Sequence, residues 1–405
     1  MFSSSQAEKV WTIFENATGT RTHSSLDLAQ YTAGNKAKDF VSPEFSAHFE
    51  RRVERAVDVT CKWGDGKVLY QRFISPFRQF DKIHEKEKFI HCLDVTNGGL
   101  GISGVSEDRL FVWDTTNGEI RRHLKGHFGD IYCAKFFPCG TRAVTCGADL
   151  TIRIWAVDTG VCSSTLVGHV GGINDILLLG NGEQALSCSR DGTIRLWDVA
   201  TQQPVHIYEI APVEFALNYP INGICLTGCP PNCETPNDQL VIAACESGRL
   251  VGCMLKDEFR QKLFDLKLTS AVNCCASIES IHPYHVICGT QDGQLYTVDV
   301  RRPDLPVCHI DHKTRGAILS MKLVARHVWI TTSDGSAYAL DVDCFVKKFK
   351  QFSPVIELTG ADCEPVTNIV TDNRYLYTSC RDGNVRKYTF STDLCNWKSI
   401  AEAEL

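Results

Sequence analysis

The chain has 405 residues, 43% of them apolar and 22% charged, which is the balance of a folded protein with a sizeable core and not of a disordered one. Its formal charge is −6, from 42 Lys and Arg against 48 Asp and Glu, and it has no dense basic block, which argues against a dedicated nucleic-acid binder. No run reaches the ~18 apolar residues of a membrane helix, and the start, MFSSSQAEKVWTIFENATG, lacks an apolar stretch of signal length, so a soluble intracellular protein is expected.

Residues 1–66 read as an N-terminal extension, with a short helix possible in SAHFERRVERAV (46–57) and an Asn16 sequon that has no meaning outside the secretory pathway. The next segment, KVLYQRFIS (67–75), is expected to supply the outer strand of the last repeat, with the tail motif CNWKSI as the competing candidate. Residues 67–391 hold the repeats and 392–405 a C-terminal tail.

A turn position recurs at Glu107, Asp149, Asp191, Ser247, Asp292, Asp334 and Asp382. The usual spacing is close to 42 residues, that of a four-stranded propeller blade. Six residues after each stands Trp113, Trp155, Trp197, Cys253, Val298, Leu340 or Tyr388, and four of these precede Asp114, Asp198, Asp299 and Asp341. This is a WD40-type pattern. In the third repeat the strands are expected near INDILLL, QALSCS, TIRLWDV and PVHIYEI, and Asp191-Gly192 provides the turn that Gly248, Gly293, Gly335 and Gly383 repeat. The fold class is therefore all-β, a seven-bladed propeller with an N-terminal extension. Ring closure is required because an open ring would expose two unpaired sheet edges.

The stretch TGCPPNCETPNDQ (227–239) reads as an enlarged loop in the fourth repeat. Cys225, Cys229 and Cys233 fall short of a zinc pattern because no second clear pair follows, so no metal and no cofactor is expected. The chain's 20 cysteines sit in strand-like runs such as IYCAKFF and NCCASI, and they read as buried free thiols of a reducing compartment.

Ser, His and Asp recur together, which raises nucleophilic chemistry as a reading. The sets His127/Thr145/Asp149/Trp155 and His169/Ser187/Asp191/Trp197 are complete, and His84/Ser103/Glu107/Trp113 has a carboxylate one methylene longer. Repetition at fixed spacing favours a structural hydrogen-bond chain: indole donates to hydroxyl, hydroxyl to imidazole, imidazole to carboxylate. The fourth to sixth repeats have Ala243, Cys288 and Ile330 at the hydroxyl position, so apolar packing is expected there. No nucleophile elbow, phosphate loop, zinc-protease motif or dinucleotide fingerprint is present, and an enzyme is not expected.

The segments CLDVTNGGLGISG, FFPCG, SCSRDGTIRLWD, CGTQDGQLYTVDVR and ELTGADCEPVTNIVTDNRYLYTSCRDGNVRKY resemble the proteasomal ATPase-associated factor family over most of residues 80–390. The resemblance implies a non-enzymatic chaperone that binds ATPase subunits of the proteasome's 19S regulatory particle and restrains its joining to the 20S core. It implies a cytoplasmic location, with the nucleus as a further one, and a monomer when free. The rivals are a ubiquitin-ligase substrate receptor or other scaffold and, from another class, a propeller hydrolase. From geometry, the loops carrying the histidines and the turns carrying the acids share one end of each blade. On that end Glu85, Glu87, Asp130, Arg190, Glu214, Asp362, Glu364 and Arg381 are the partner-binding candidates.

Overall fold

The computed structural model describes residues 40–389, apart from 43–44, 54–55, 64–67, 85–88, 106–108, 211–218, 231–238, 256–261, 312–315, 347–355 and 362–363; for 40–71 the backbone alone is described. Five strands precede the first blade: β1 (Phe40–Ser42), β2 (Phe45–Val53), β3 (Ala56–Trp63), β4 (Val68–Ile74) and β5 (Arg78–Phe80). Blade 1 is β6 (Cys92–Val95), β7 (Leu100–Gly104), β8 (Leu110–Asp114) and β9 (Ile120–His123). Blade 2 is β10 (Ile131–Phe136), β11 (Arg142–Gly147), β12 (Thr151–Ala156) and β13 (Cys162–Val167). Blade 3 is β14 (Ile173–Leu179), β15 (Gln184–Ser189), β16 (Thr193–Asp198) and β17 (Gln203–Glu209). Blade 4 is β18 (Ile221–Gly228), β19 (Gln239–Cys245), β20 (Arg249–Met254) and β21 (Lys262–Lys267). Blade 5 is β22 (Val272–Ser277), β23 (His285–Thr290), β24 (Gln294–Asp299) and β25 (Cys308–Asp311). Blade 6 is β26 (Ile318–Val324), β27 (His327–Thr332), β28 (Ala337–Asp341) and, after the one-turn helix α1 (Asp343–Val346), β29 (Ile356–Leu358). Blade 7 is β30 (Val366–Thr371), β31 (Tyr375–Cys380), β32 (Val385–Thr389) and β5.

Each first strand lies against the first strand of the next blade, from β6 to β10 and onward until β30 meets β6, so the seven sheets close a ring. The apolar core lies between blades. Val144, Cys146, Ile152 and Ile154 of blade 2, for example, pack with Ile173, Ile176, Ala185 and Trp197 of blade 3.

Two expectations about the N-terminal region are corrected. The outer strand of blade 7 is β5, paired antiparallel with β32 in the register Val385↔Phe80, Arg386↔Gln79 and Lys387↔Arg78. The segment 67–75 does not take that place. Its strand β4 already pairs with β3 on one side and, in parallel, with β29 of blade 6 on the other, which leaves it no free edge. The helix expected in 46–57 is not formed: 46–53 lie in β2 and 56–57 in β3, which pair antiparallel. The decisive signal is the period-two alternation Phe45-x-Ala47-x-Phe49 and Val57-x-Val59-x-Cys61-x-Trp63, which a helix would scatter over all its faces. Strands β1 to β4 thereby extend the blade 6 sheet to eight strands. Asn16 and the CNWKSI tail lie outside the described residues.

Closure by β5 needs little chain because it is anchored by one large ring. Phe80 is buried, its ring centroid 5.1 Å from that of Trp113, and a Cβ on Gly118 would come within 2.6 Å of it.

At the turns between second and third strands, Gly192, Gly248, Gly293, Gly335 and Gly383 all take positive φ, from 75° to 84°. Blade 2 places Leu150 there, with φ 65°, a conformation in which Cβ crowds the following carbonyl. Leu150 is exposed, so little packing offsets that strain. Leu150→Gly should therefore raise unfolding free energy by about 0.5–1 kcal/mol, the relief of left-handed strain less glycine's entropy cost. Denaturant titration checks it, and destabilisation would contradict it.

Candidate interaction surface

In an antiparallel four-stranded blade, the loop entering the first strand and the turn between the second and third strands lie at the same end. The structure ties the two together. The N–H of the residue before the turn position donates to a carbonyl of the entering loop in six blades: Ala148 to Asp130 (2.8 Å), Arg190 to Gly172 (2.9 Å), Glu246 to Pro220 (2.9 Å), Gln291 to Ala271 (2.9 Å), Ser333 to Ala317 (2.9 Å) and Arg381 to Pro365 (3.0 Å). Close approach requires Gly147 in blade 2, where a Cβ would stand 2.1 Å from the Asp130 carbonyl oxygen.

Behind this surface lie the hydrogen-bond chains. In blade 3, Trp197 Nε1 donates to Ser187 Oγ (2.8 Å), Ser187 meets His169 Nε2 (2.7 Å), and His169 Nδ1 meets Asp191 Oδ2 (2.7 Å). In blade 2 the corresponding distances through Trp155, Thr145, His127 and Asp149 are 2.8, 2.6 and 2.8 Å. An indole can only donate and a carboxylate only accepts, so the single proton assignment that satisfies every group is a neutral imidazole donating from Nδ1. Burial pushes the His169 pKa down despite Asp191, in keeping with that neutral form, while Asp149 titrates near 2, its burial outweighed by the His127 hydrogen bond. Ser187 is fully buried beneath the indole, out of reach of a substrate.

Blade 1 keeps Trp113 Nε1 to Ser103 Oγ (3.0 Å) and Ser103 to His84 Nε2 (2.8 Å); Glu107 lies outside the described residues. Burial, with Arg109 nearby, pushes His84 down to about 4. Blades 4 to 6 bury Ala243, Cys288 and Ile330 completely at the hydroxyl position. The turn aspartates of blades 5 and 6 bond within their own turns, Thr290 to Asp292 and Thr332 to Asp334. Blade 7 has Gly360-Ala361 where blade 3 has Gly168-His169. With no imidazole present, the Arg386 guanidinium pairs with the Asp382 carboxylate, and Tyr388 donates to the Thr359 carbonyl (2.9 Å).

Of the partner-binding candidates, Asp130, Arg190, Glu364 and Arg381 are described, and all four are exposed on this end of the ring. Glu364 and Arg381 stand on the tied loop and turn of blade 7, Asp130 on the blade 2 loop and Arg190 on the blade 3 turn, so they form no single cluster. Glu85, Glu87, Glu214 and Asp362 lie outside the described residues. Cys233 does too, and among the described residues no three His, Cys, Asp or Glu side chains are grouped to hold a metal. The described cysteines are free thiols, mostly buried; Cys139 is exposed, and hydrogen bonds from Thr141 bring it down to about 7.

Sequence reasoning missed a set of side-chain ties that run from one blade to the next. Blades 2 to 7 each carry a bulge just after the start of the first strand. The bulged Asn174, Asn222 and Asn273 donate to the carbonyls of Ile221 (2.8 Å), Val272 (3.0 Å) and Ile318 (2.9 Å) in the following blade, and Thr367 donates to Ile90 (2.7 Å). The readable trace is Asn second in INDI, INGI and VNCC.

Residues 118–156 and 160–198 match the WD40 family, described as WD domain, G-beta repeat. The chain is 37% identical over 351 residues to a Homo sapiens protein named "Proteasomal ATPase-associated factor 1", a match spanning 84% of this chain and 83% of that one. A Gallus gallus protein of the same name is 39% identical over 331 residues, 78% of this chain and 79% of its own. A Dictyostelium discoideum protein named "Probable proteasomal ATPase-associated factor 1" is 34% identical over 336 residues, 76% of each.

Asp191 accepts from His169, from the Val170 N–H (3.0 Å) and from both the N–H (2.9 Å) and hydroxyl (2.7 Å) of Thr193. Asp191→Ala should therefore lower stability by about 1–3 kcal/mol, more than Asp292→Ala, whose carboxylate among the described residues bonds within its own turn. Urea unfolding of both variants checks the order, and an equal or smaller loss at Asp191 would contradict it.

Proposed function

Because this chain belongs to the proteasomal ATPase-associated factor 1 family, we propose that it is a non-enzymatic assembly chaperone that binds ATPase subunits of the 19S regulatory particle. In this reading it restrains premature association of those subunits with the 20S core, acts in the cytoplasm and nucleus, and is monomeric when free. The observation that carries the proposal is the identity with relatives named for association with proteasomal ATPases, which spans about four-fifths of both partners.

The fold suits such a task. A ring whose loops are tied at one end presents many small contacts without the entropy cost of ordering them on binding. Asp130 and Glu364, with Glu85, Glu87, Glu214 and Asp362, are proposed to face basic side chains of the ATPase and to steer its approach. Arg190 and Arg381 are proposed as contacts to its acidic groups.

Affinity-tagged full chain purified from cells should bring down proteasomal ATPases without the assembled 26S particle, as read by subunit identification. Recovery of a cullin adaptor in place of ATPases would support a ubiquitin-ligase receptor and contradict this reading.

A further inference from the structure

The bulged position that carries Asn in blades 3 to 5 and Thr in blade 7 is Tyr132 in blade 2, and His91 stands just before the first strand of blade 1. Here His91 and Tyr132 meet edge-on at 5.9 Å between centroids, Phe89 lies 4.5 Å from His91, and the Arg190 guanidinium sits over the Tyr132 ring at 5.0 Å. The result is a row of four groups, Phe89, His91, Tyr132 and Arg190, running across three blades.

Arg190 is held in place and left half-used. Its Nε donates to Asn174 Oδ1 at 3.3 Å, and among the described residues Nη1 and Nη2 have no partner. Stacking on one side and the Nε bond on the other orient the remaining fork, so less side-chain freedom is lost when it closes on an acceptor.

Two apolar side chains occupy equivalent positions on the entering loops of blades 2 and 3, each immediately after a network histidine. Phe128 is 72% exposed and Val170 73%. Their backbones are fixed, Phe128 N–H to Asp149 Oδ2 (3.3 Å) and Val170 N–H to Asp191 Oδ2 (3.0 Å). The two loops converge on exposed Ala148: a Cβ on Gly129 would lie 3.4 Å from its Cβ. One on Gly172 would lie 3.8 Å from Ala148 Cα, 3.4 Å from the Tyr132 ring and 3.7 Å from Arg190 Cδ.

We propose that this strip, Phe128, Tyr132, Ala148, Val170 and Arg190, docks a protein segment that presents a carboxylate beside a bulky apolar side chain. The carboxylate closes the Arg190 fork in a bidentate pair, and the apolar side chain covers Val170 and Phe128. A planar fork backed by an aromatic ring fits a carboxylate or a phosphate in a bidentate pair, and the surroundings decide between them. Exposed Phe128 and Val170, with Asp130 close enough to act on His91, make the surroundings unfavourable for a phosphate backbone. The inference rests on the reading of this face as the partner-binding end, and it adds the chemistry of what is bound there.

The test pans random peptides displayed on phage against the immobilised full chain. Winning sequences should carry Asp or Glu within two positions of a large apolar residue. Affinity of a synthetic winner should fall at least about tenfold in Arg190→Gln and at least about threefold in Arg190→Lys, which keeps the charge and loses the fork. Both variants should melt with wild type. Replacing the peptide's acid by its amide should cost a similar factor and leave no further loss in Arg190→Gln. A pool without acids, no binder at all, a winner that holds Arg190→Gln within twofold, or an oligonucleotide that displaces the winner through Arg190 would each overturn the proposal. ATPases captured equally by wild type and Arg190→Gln would sink this inference and spare the proposed function. Acid-dependent peptides with no ATPase captured would do the reverse.

Discussion

Six times around the ring, a backbone N–H just before the turn position donates to the loop that enters the same blade, within 2.8–3.0 Å. That bond fixes the main chain at one end of every blade from 2 to 7 while asking nothing of the side chain. The residues on the donors are Ala148, Arg190, Glu246, Gln291, Ser333 and Arg381, which share no chemistry. The fold therefore specifies a rigid set of positions and leaves their content open, which is what a recognition surface needs.

How each turn is braced from behind differs by blade. Blades 2 and 3 run a chain from buried indole to hydroxyl, imidazole and carboxylate, whereas blade 7 replaces the imidazole with Arg386. Nearer the axis, Asp94 accepts from the Phe136 N–H of the next blade (2.8 Å), and Lys135 reaches Asp175 (3.1 Å) and the Ile176 carbonyl (2.6 Å). These ties leave apolar packing to hold the rest, and they explain why one turn can carry Leu150 at a glycine position without losing the blade.

Much of the ring is legible in the sequence, because a blade is a repeated solution to one packing problem and repetition is visible. Ser187, Asp191 and Trp197 announce their relation to His169 by recurring as Thr145, Asp149, Trp155 and His127. Closure is not legible. A three-residue strand, Arg78–Phe80, has too little pattern to outbid the longer alternation of Val68–Ile74, and only the pairing shows which edge each occupies. The N-terminal hairpin is missed for a different reason: the charged run in 50–55 invites a helical period, while its flanks alternate by two. Bulged residues escape because a single inserted position breaks the strand period. Tyr132 at the place of Asn174 and Asn222 stands out only once the bulges are aligned, so the aromatic and arginine strip is a property of the fold and not of a motif.

Partner recognition is proposed to belong to the tied end of the ring. Hydrogen–deuterium exchange of the full chain, alone and mixed with purified proteasomal ATPase subunits, tests it most directly. Added protection is expected in the entering loops 127–130 and 169–172 and in the turn at 190–192. Protection confined to the opposite end, at 137–141, 157–161 and 199–202, would contradict it.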